Sequence, residues 1–207
     1  MTGIESSKNK IAEMSELALK MWQDTHRAFI EHNRELVAAV LEDENKLNEF
    51  EKEITSELIE SGRAASGGDV RDNALLYADV VADLEIIGDY CKDILERVEI
   101  KIEEKLLFSE DAVKEYEDLY QRTENALDEV TCALKRDNLA IIKEVLKSQE
   151  HIDQLMDVYR KKHNQRLLDG VCSPLGCNMF LNILDFTAAV YYHAKKIARN
   201  LLKVKNV

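Results

Sequence analysis

Leu84-Glu85-Ile86-Ile87-Gly88-Asp89-Tyr90-Cys91-Lys92-Asp93-Ile94 lies inside a helical pattern running from about Asp69 to Lys105. Apolar residues recur at Val80, Leu84, Ile87, Cys91, Ile94 and Val98. Steps of four and three make one buried stripe of a helix. Beside the stripe, Glu85 and Asp89 stand one turn apart, so both carboxylates project from one face, and Asp93 extends the row. Gly88 is the only glycine of the pattern. A glycine inside a helix costs about 1 kcal/mol against alanine, so Gly88 predicts the close approach of another helix or an ion site.

The whole chain is written in the same style. Of 207 residues, 33% are charged and 45% hydrophobic, with one proline and seven glycines. Such a composition suits long helices and argues against a sheet-rich fold. A net charge of −12 disfavours nonspecific binding to nucleic acid and suits cations or a basic partner. No apolar run approaches the roughly eighteen residues of a membrane span, and Met1 to Lys10 lacks a signal-peptide core. Four cysteines without a secretion signal are expected as reduced thiols in a cytoplasmic protein.

Taken in order, the first helix is predicted from about Ile4 to Glu31, with Ile11, Met14, Leu17 and Met21 on its apolar face. Asn33 marks a turn, and a second, very acidic helix follows from Arg34 to about Glu60. Ser61 to Gly68 reads as a loop of small residues, with Asp69 as N-cap of the third helix. Ser109 caps a fourth helix, to about Arg136, and Asp137-Asn138 makes a turn. A fifth helix runs to about Asp169, Gly170 to Cys177 forms a loop with the only proline, and a sixth runs from about Asn178 to Val204. Cys91 and Cys132 are expected to be buried.

The order helix, helix, loop, helix occurs twice, and residues support a repeat. Aligning Ala28 with Ala133 pairs Asn33 with Asn138, Val40 with Val145 and Leu41 with Leu146. Further on, Lys92 pairs with Lys195 and Ile94 with Ile197. The expectation is an all-α protein of two tandem three-helix units, 1–107 and 108–207, forming a six-helix protein.

Leu84 to Cys91 resembles the Leu-Glu-Arg-Ile-Gly-Asp-His-Ala signature of the PhoU family of phosphate-uptake regulators. Glu85 and Asp89 fall on its acidic positions, while Ile86 stands where Arg is usual and Tyr90 where His is usual. His163 and Arg166, followed by Gly170-Val171-Cys172, are similar to a segment in the PhoU-like C-terminal region of sodium/phosphate cotransporters. For His163 and Arg166 the plainer reading is an exposed helix end, where the helix dipole favours cations. The resemblance implies two three-helix bundles and metal at the acidic motifs.

Two carboxylates one turn apart, facing a second such pair, can hold a hard or borderline cation. The second pair falls at Glu44 and Asn48, where Asn48 replaces the family's usual acid. The expected metal ligands are therefore Glu44, Asn48, Glu85 and Asp89, for iron, zinc or another divalent or trivalent ion. The plainer reading makes Glu85 and Asp89 the solvated edge of an acidic helix. In the second repeat, Gln149 and Asp153 take the places of Glu44 and Asn48, and Ala188 and Tyr192 replace both acids of the last helix, leaving only His193 and Ala194 of the signature. Metal is not expected there. Cys172 and Cys177 bracket the proline loop and could form half a zinc site, with His163 or His193 as a spatial neighbour. No Glu-x-x-His pair, phosphate-cradling glycine loop or nucleophile elbow is present.

By resemblance, the chain regulates phosphate uptake or signalling and is not an enzyme. It would dock on a membrane phosphate transporter, a sodium/phosphate cotransporter or a sensor kinase at the inner face of the membrane. A homodimer is expected. The competing reading is a metal-free helical scaffold with no phosphate role.

Overall fold

The computed structural model describes residues 3–136, 138–147 and 152–205. Among the described residues the regular structure is all helix: α1 (Gly3–Glu31), α2 (Arg34–Ala64), α3 (Gly68–Glu103), α4 (Glu110–Arg136), α5 (Leu139–Lys147), α6 (Ile152–Leu168) and α7 (Pro174–Leu201). The all-α expectation holds. Both α5 and α6 fall within the fifth predicted helix; residues 148–151, including Gln149, lie outside the described residues, as does Asp137.

Helix starts follow local chemistry. Asn33 Oδ1 accepts from the Glu35 and Leu36 amides at 2.9 and 3.3 Å. Asn138, its partner in the repeat alignment, accepts from the Ala140 amide at 3.0 Å. The same side chain thus satisfies orphan amides at both turns. Ser109 Oγ accepts from the Ala112 amide at 3.2 Å, as its sequence predicts.

Three boundaries differ from the sequence reading. Helix α2 continues past Glu60 to Ala64, so that only residues 65–67 connect it to α3. Gly62 lies in this extension and faces α3, where a Cβ would make an ordinary contact, 3.4 Å from the Cβ of Ala74. The N-cap of α3 is Gly67 rather than Asp69; Asp69 sits in the first turn, ion-paired with Lys205 at 2.5 Å. Helix α7 starts at Pro174, not Asn178, with Ser173 as N-cap accepting from the Gly176 amide at 3.1 Å. Proline has no amide to leave unsatisfied and its φ is already helical, so it opens the helix instead of breaking the loop.

Helices α1, α2 and α3 pack on one another, and α4, α5 and α6 pack with α7. The two sets meet through α3 against α7 and α1 against α4. All six stripe residues of α3, Val80 through Val98, are 0% exposed. Cys91 is buried as expected, whereas Cys132 is only half-buried. Tyr90 of α3 meets His193 and Phe186 of α7 with ring centroids 5.8 and 5.9 Å apart. No described helix is long and apolar enough to cross a membrane.

Gly88 does what its position predicts. A Cβ added there would lie 2.4 Å from Leu47 Cδ2 and 3.4 Å from Met21 Cε. Glycine lets α2 press its Leu47 against the α3 backbone, and Glu44, one turn before Leu47, comes within electrostatic reach of Glu85 and Asp89.

Candidate functional site

The acidic positions of α2 and α3 lie near one another. Glu44 is buried, Asn48 and Glu85 are half-buried, and Asp89 is exposed. Glu44 Oε1 accepts from the Asn48 side-chain amide at 3.1 Å and lies 3.5 Å from Lys92 Nζ. Burial raises the Glu85 pKa, and the charges of Asp89, Glu51 and Glu44 raise it further. Asp89 is likewise raised by burial and by Glu44, against a lowering effect of Lys92. Carboxylates on both helices therefore feel one another, as like charges forced together do. An all-oxygen donor set of this sign suits a hard or borderline cation. Its ligand atoms are not drawn into a closed cage. Among the described residues, the one group of three such side chains with ligand atoms all within 4.8 Å of one another is His163, Cys172 and Cys177.

Sequence reading missed two participants, Glu51 and Lys92. Each carries a readable signal. Glu51 lies seven residues after Glu44, and Lys92 seven after Glu85, so each shares its helix face with the motif two turns away. Lys92 brings an ammonium group into the acidic field.

The second repeat closes its equivalent place differently. Asp153 accepts a hydrogen bond from the Tyr192 hydroxyl. Burial and the Asp153 carboxylate push the Tyr192 phenol up to about 12. Tyr192 stands where the motif has its second α7 acid, so a phenol donor has replaced a charge. His193, weighed as a neighbour of the cysteine loop, points elsewhere: its Nδ1 is 2.8 Å from Asp83 Oδ1. Lys196 Nζ binds the same oxygen at 2.8 Å. Asp83 is 0% exposed, so α7 supplies the partners that a charge buried in α3 requires.

His163 and Arg166 do not form the exposed helix end of the plainer reading. His163 is 1% exposed and stacks on Phe180 at a centroid distance of 4.5 Å. Arg166 grips the buried Glu115 of α4 with both terminal nitrogens, at 3.1 and 2.5 Å. The pair ties α4 to α6 in the bidentate geometry that guanidinium and carboxylate favour.

Residues 11–98 match the PhoU domain family model. A sequence comparison with curated proteins gives no match. Among solved structures, PhoU from Pseudomonas aeruginosa superposes with a TM-score of 0.91 at 18% identity, over 98% of this chain and 96% of that one. The phosphate transport system regulatory protein PhoU from Streptococcus pneumoniae gives 0.84 at 14% identity, over 98% and 97%. A PhoU-like protein from Shewanella oneidensis gives 0.56 at 13% identity, over 98% and 94%. The matched span, 11–98, holds Glu44, Asn48, Gly88 and both acids of α3. Residues 11–98 thus match a PhoU domain, and the whole chain shares the fold of these solved PhoU structures.

Proposed function

We propose that this chain is a regulator of phosphate uptake or phosphate signalling that acts by docking rather than by catalysis. Its partner is a membrane phosphate transporter, or the sensor kinase coupled to one, met at the cytoplasmic face of the membrane. The chain works as two three-helix units, 1–107 and 108–207, and pairs as a homodimer. The first unit carries a metal site of Glu44, Asn48, Glu85 and Asp89 that takes iron, zinc or a similar ion. When bound, the ion supplies positive charge that joins the acidic faces of α2 and α3 into one rigid docking surface.

The observation carrying this reading is the pairing of acids across two helices inside the PhoU-matched span, with Glu85 and Asp89 both raised toward protonation by burial and by Glu44. The name of the Streptococcus pneumoniae relative, a phosphate transport system regulatory protein, supports the phosphate link. Two measurements test it. Phosphate uptake should be derepressed in cells lacking the chain and restored when it is returned; unchanged uptake would sink the regulatory reading. Protein purified without chelator or affinity nickel should hold metal by elemental analysis, and Glu85→Ala/Asp89→Ala should lose it.

Lys92 gives one specific reason for the competing reading, a metal-free scaffold. Its ammonium, 3.5 Å from Glu44, already offsets part of the acidic charge. In that case, the wild type and the double variant would hold equally little metal at the acidic pair, and uptake would not respond to deletion.

A further inference from the structure

The α6–α7 connection gathers three metal-ligating side chains far in sequence from the acidic pair. His163, Cys172 and Cys177 each place one ligand atom within 4.8 Å of the other two. They come from three pieces of backbone: His163 from α6, Cys172 from the loop, and Cys177 from the first turn of α7. The chain reverses at Gly170, whose φ of +70° is the left-handed conformation glycine adopts without strain. The Val171 amide then donates to the Arg166 carbonyl at 2.9 Å, which pins the loop back on α6 beside His163. His163 and Cys177 are 1% and 3% exposed, and Cys172 is half-buried.

We propose that His163, Cys172 and Cys177 form a site for a thiophilic divalent cation, zinc foremost, with two thiolates and one imidazole as ligands and water in the fourth position. Bond lengths of about 2.3 Å to sulfur and about 2.0 Å to nitrogen make the edges of a zinc tetrahedron about 3.5–3.8 Å long. The three donors, no more than 4.8 Å apart, therefore need to draw together by about 1.0–1.3 Å at most. Binding displaces two thiol protons to solvent, with no change of oxidation state, and two thiolates balance the charge of the ion. A neutral cluster is the form a mostly buried place accommodates.

The histidine is already oriented for this role. Its Nε2 lies 3.1 Å from the Cys177 carbonyl oxygen, and its Nδ1 lies 3.1 Å from Arg166 Nη2. Arginine can only donate, so Nδ1 accepts and Nε2–H donates to the carbonyl. The ring is the neutral tautomer with its lone pair on Nδ1. Ligation through Nδ1 leaves the Nε2–H bond to the backbone in place, the backing that metal-bound histidines use to fix their orientation. The ion would take the place of the Arg166 Nη2 contact, so this guanidinium nitrogen, which also holds Glu115, has to shift away from the ring. The ion would clamp α6, the loop and the start of α7 to one another. This site is independent of the metal proposed at Glu44, Glu85 and Asp89, since it shares no residue with it and takes softer donors.

Cobalt titration of the full chain, stripped with chelator and kept reduced, tests the proposal. The expected result is a near-ultraviolet thiolate-to-cobalt charge-transfer band with the visible bands of four-coordinate geometry, both displaced by zinc. Glu85→Ala/Asp89→Ala should keep the bands, which separates this site from the acidic pair. Cys172→Ser/Cys177→Ser should lose them while retaining wild-type helicity by circular dichroism. Losing an outer-shell partner weakens metal sites by about 10–100-fold, so His163→Gln should weaken cobalt binding by at least that much. Absence of a thiolate band in the reduced wild type would overturn the proposal. So would a band surviving in the double serine variant, or unchanged affinity in His163→Gln.

Discussion

Replacing Gly88 by alanine is expected to destabilise the protein, although alanine is the better helix former. The new Cβ would lie 2.4 Å from Leu47 Cδ2. Ordinary carbon contacts are about 3.5–4.0 Å, so Leu47 or the whole of α2 would have to retreat by about 1.1–1.6 Å. Leu47 is 0% exposed, so its end can move only within the core. Overpacking a filled core costs about 1–3 kcal/mol, and the gain from removing a helical glycine is about 1 kcal/mol. The net is a loss of about 1 kcal/mol, or about 2–4 °C in Tm for a chain of this size. The same substitution made in Leu47→Ala should reverse sign. With Cδ2 gone, the nearest remaining neighbour is Met21 Cε at 3.4 Å, an ordinary contact. There Gly88→Ala should stabilise by about 1 kcal/mol, giving a coupling of about 2 kcal/mol in the double-mutant cycle. Urea melts of the four proteins in chelator measure it. Equal effects of Gly88→Ala in both backgrounds, within about 0.5 kcal/mol, would refute the close-approach argument.

Three further outcomes follow from the charges and caps. Glu85→Gln/Asp89→Asn should stabilise the chelated protein at neutral pH by about 0.2–0.5 kcal/mol, the cost of a like-charge pair one turn apart. The sign follows from both pKa values being raised on folding. The two carboxyls favour the folded state below their ordinary values of 4.5 and 3.8, and that contribution is lost as pH rises through the raised ones. The wild type should therefore lose stability relative to the variant over this window, and parallel pH curves in thermal melts would contradict it. Arg166→Met should destabilise by about 1–3 kcal/mol because it leaves the buried Glu115 carboxylate with Lys162, 3.7 Å away, as its remaining cation. Adding Glu115→Gln should recover part of the loss, and denaturant melts that are additive in the two changes would argue against the pair. Asn33→Ala and Asn138→Ala should each cost about 1 kcal/mol as lost caps, read by the same melts.

What could be read from the residues alone is what depends on neighbours within a turn or two. The α3 stripe from Val80 to Val98, the caps at Asn33, Asn138 and Ser109, and the acid spacing are all of that kind. Pro174 was legible in principle, since proline opens helices as readily as it marks loops, and Ser173 before it is a cap residue. Asp83 was not. It reads as one more acid on an acidic helix, yet it is fully buried and bound by His193 and Lys196 more than a hundred residues away. Arg166 and Glu115 pair across α4 and α6 in the same way. The cysteine cluster was half legible: the Cys172–Cys177 spacing is local, but the choice of His163 over His193 depends on how α6 returns along α7.

In the repeat alignment, Asp89 corresponds to Tyr192, Glu85 to Ala188, Gly88 to Tyr191 and Asn48 to Asp153. Three of these changes, at Ala188, Tyr191 and Tyr192, remove elements of the first repeat's site, while Asp153 has an acid where Asn48 has an amide. Tyr191, 2% exposed, puts a ring where α3 has only backbone. Tyr192 donates to Asp153, so the one acid kept has a donor of its own. Ala188 removes a charge that would have faced that acid. The acid of the second repeat is therefore satisfied without an ion. In the first repeat, burial raises both Glu85 and Asp89, Asp89 and Glu44 raise Glu85 further and Glu44 raises Asp89, with Lys92 the opposing charge at Asp89. This difference in how the two places settle their charge is the physical reason to look for metal at the acidic motif of the first repeat and not at its counterpart in the second.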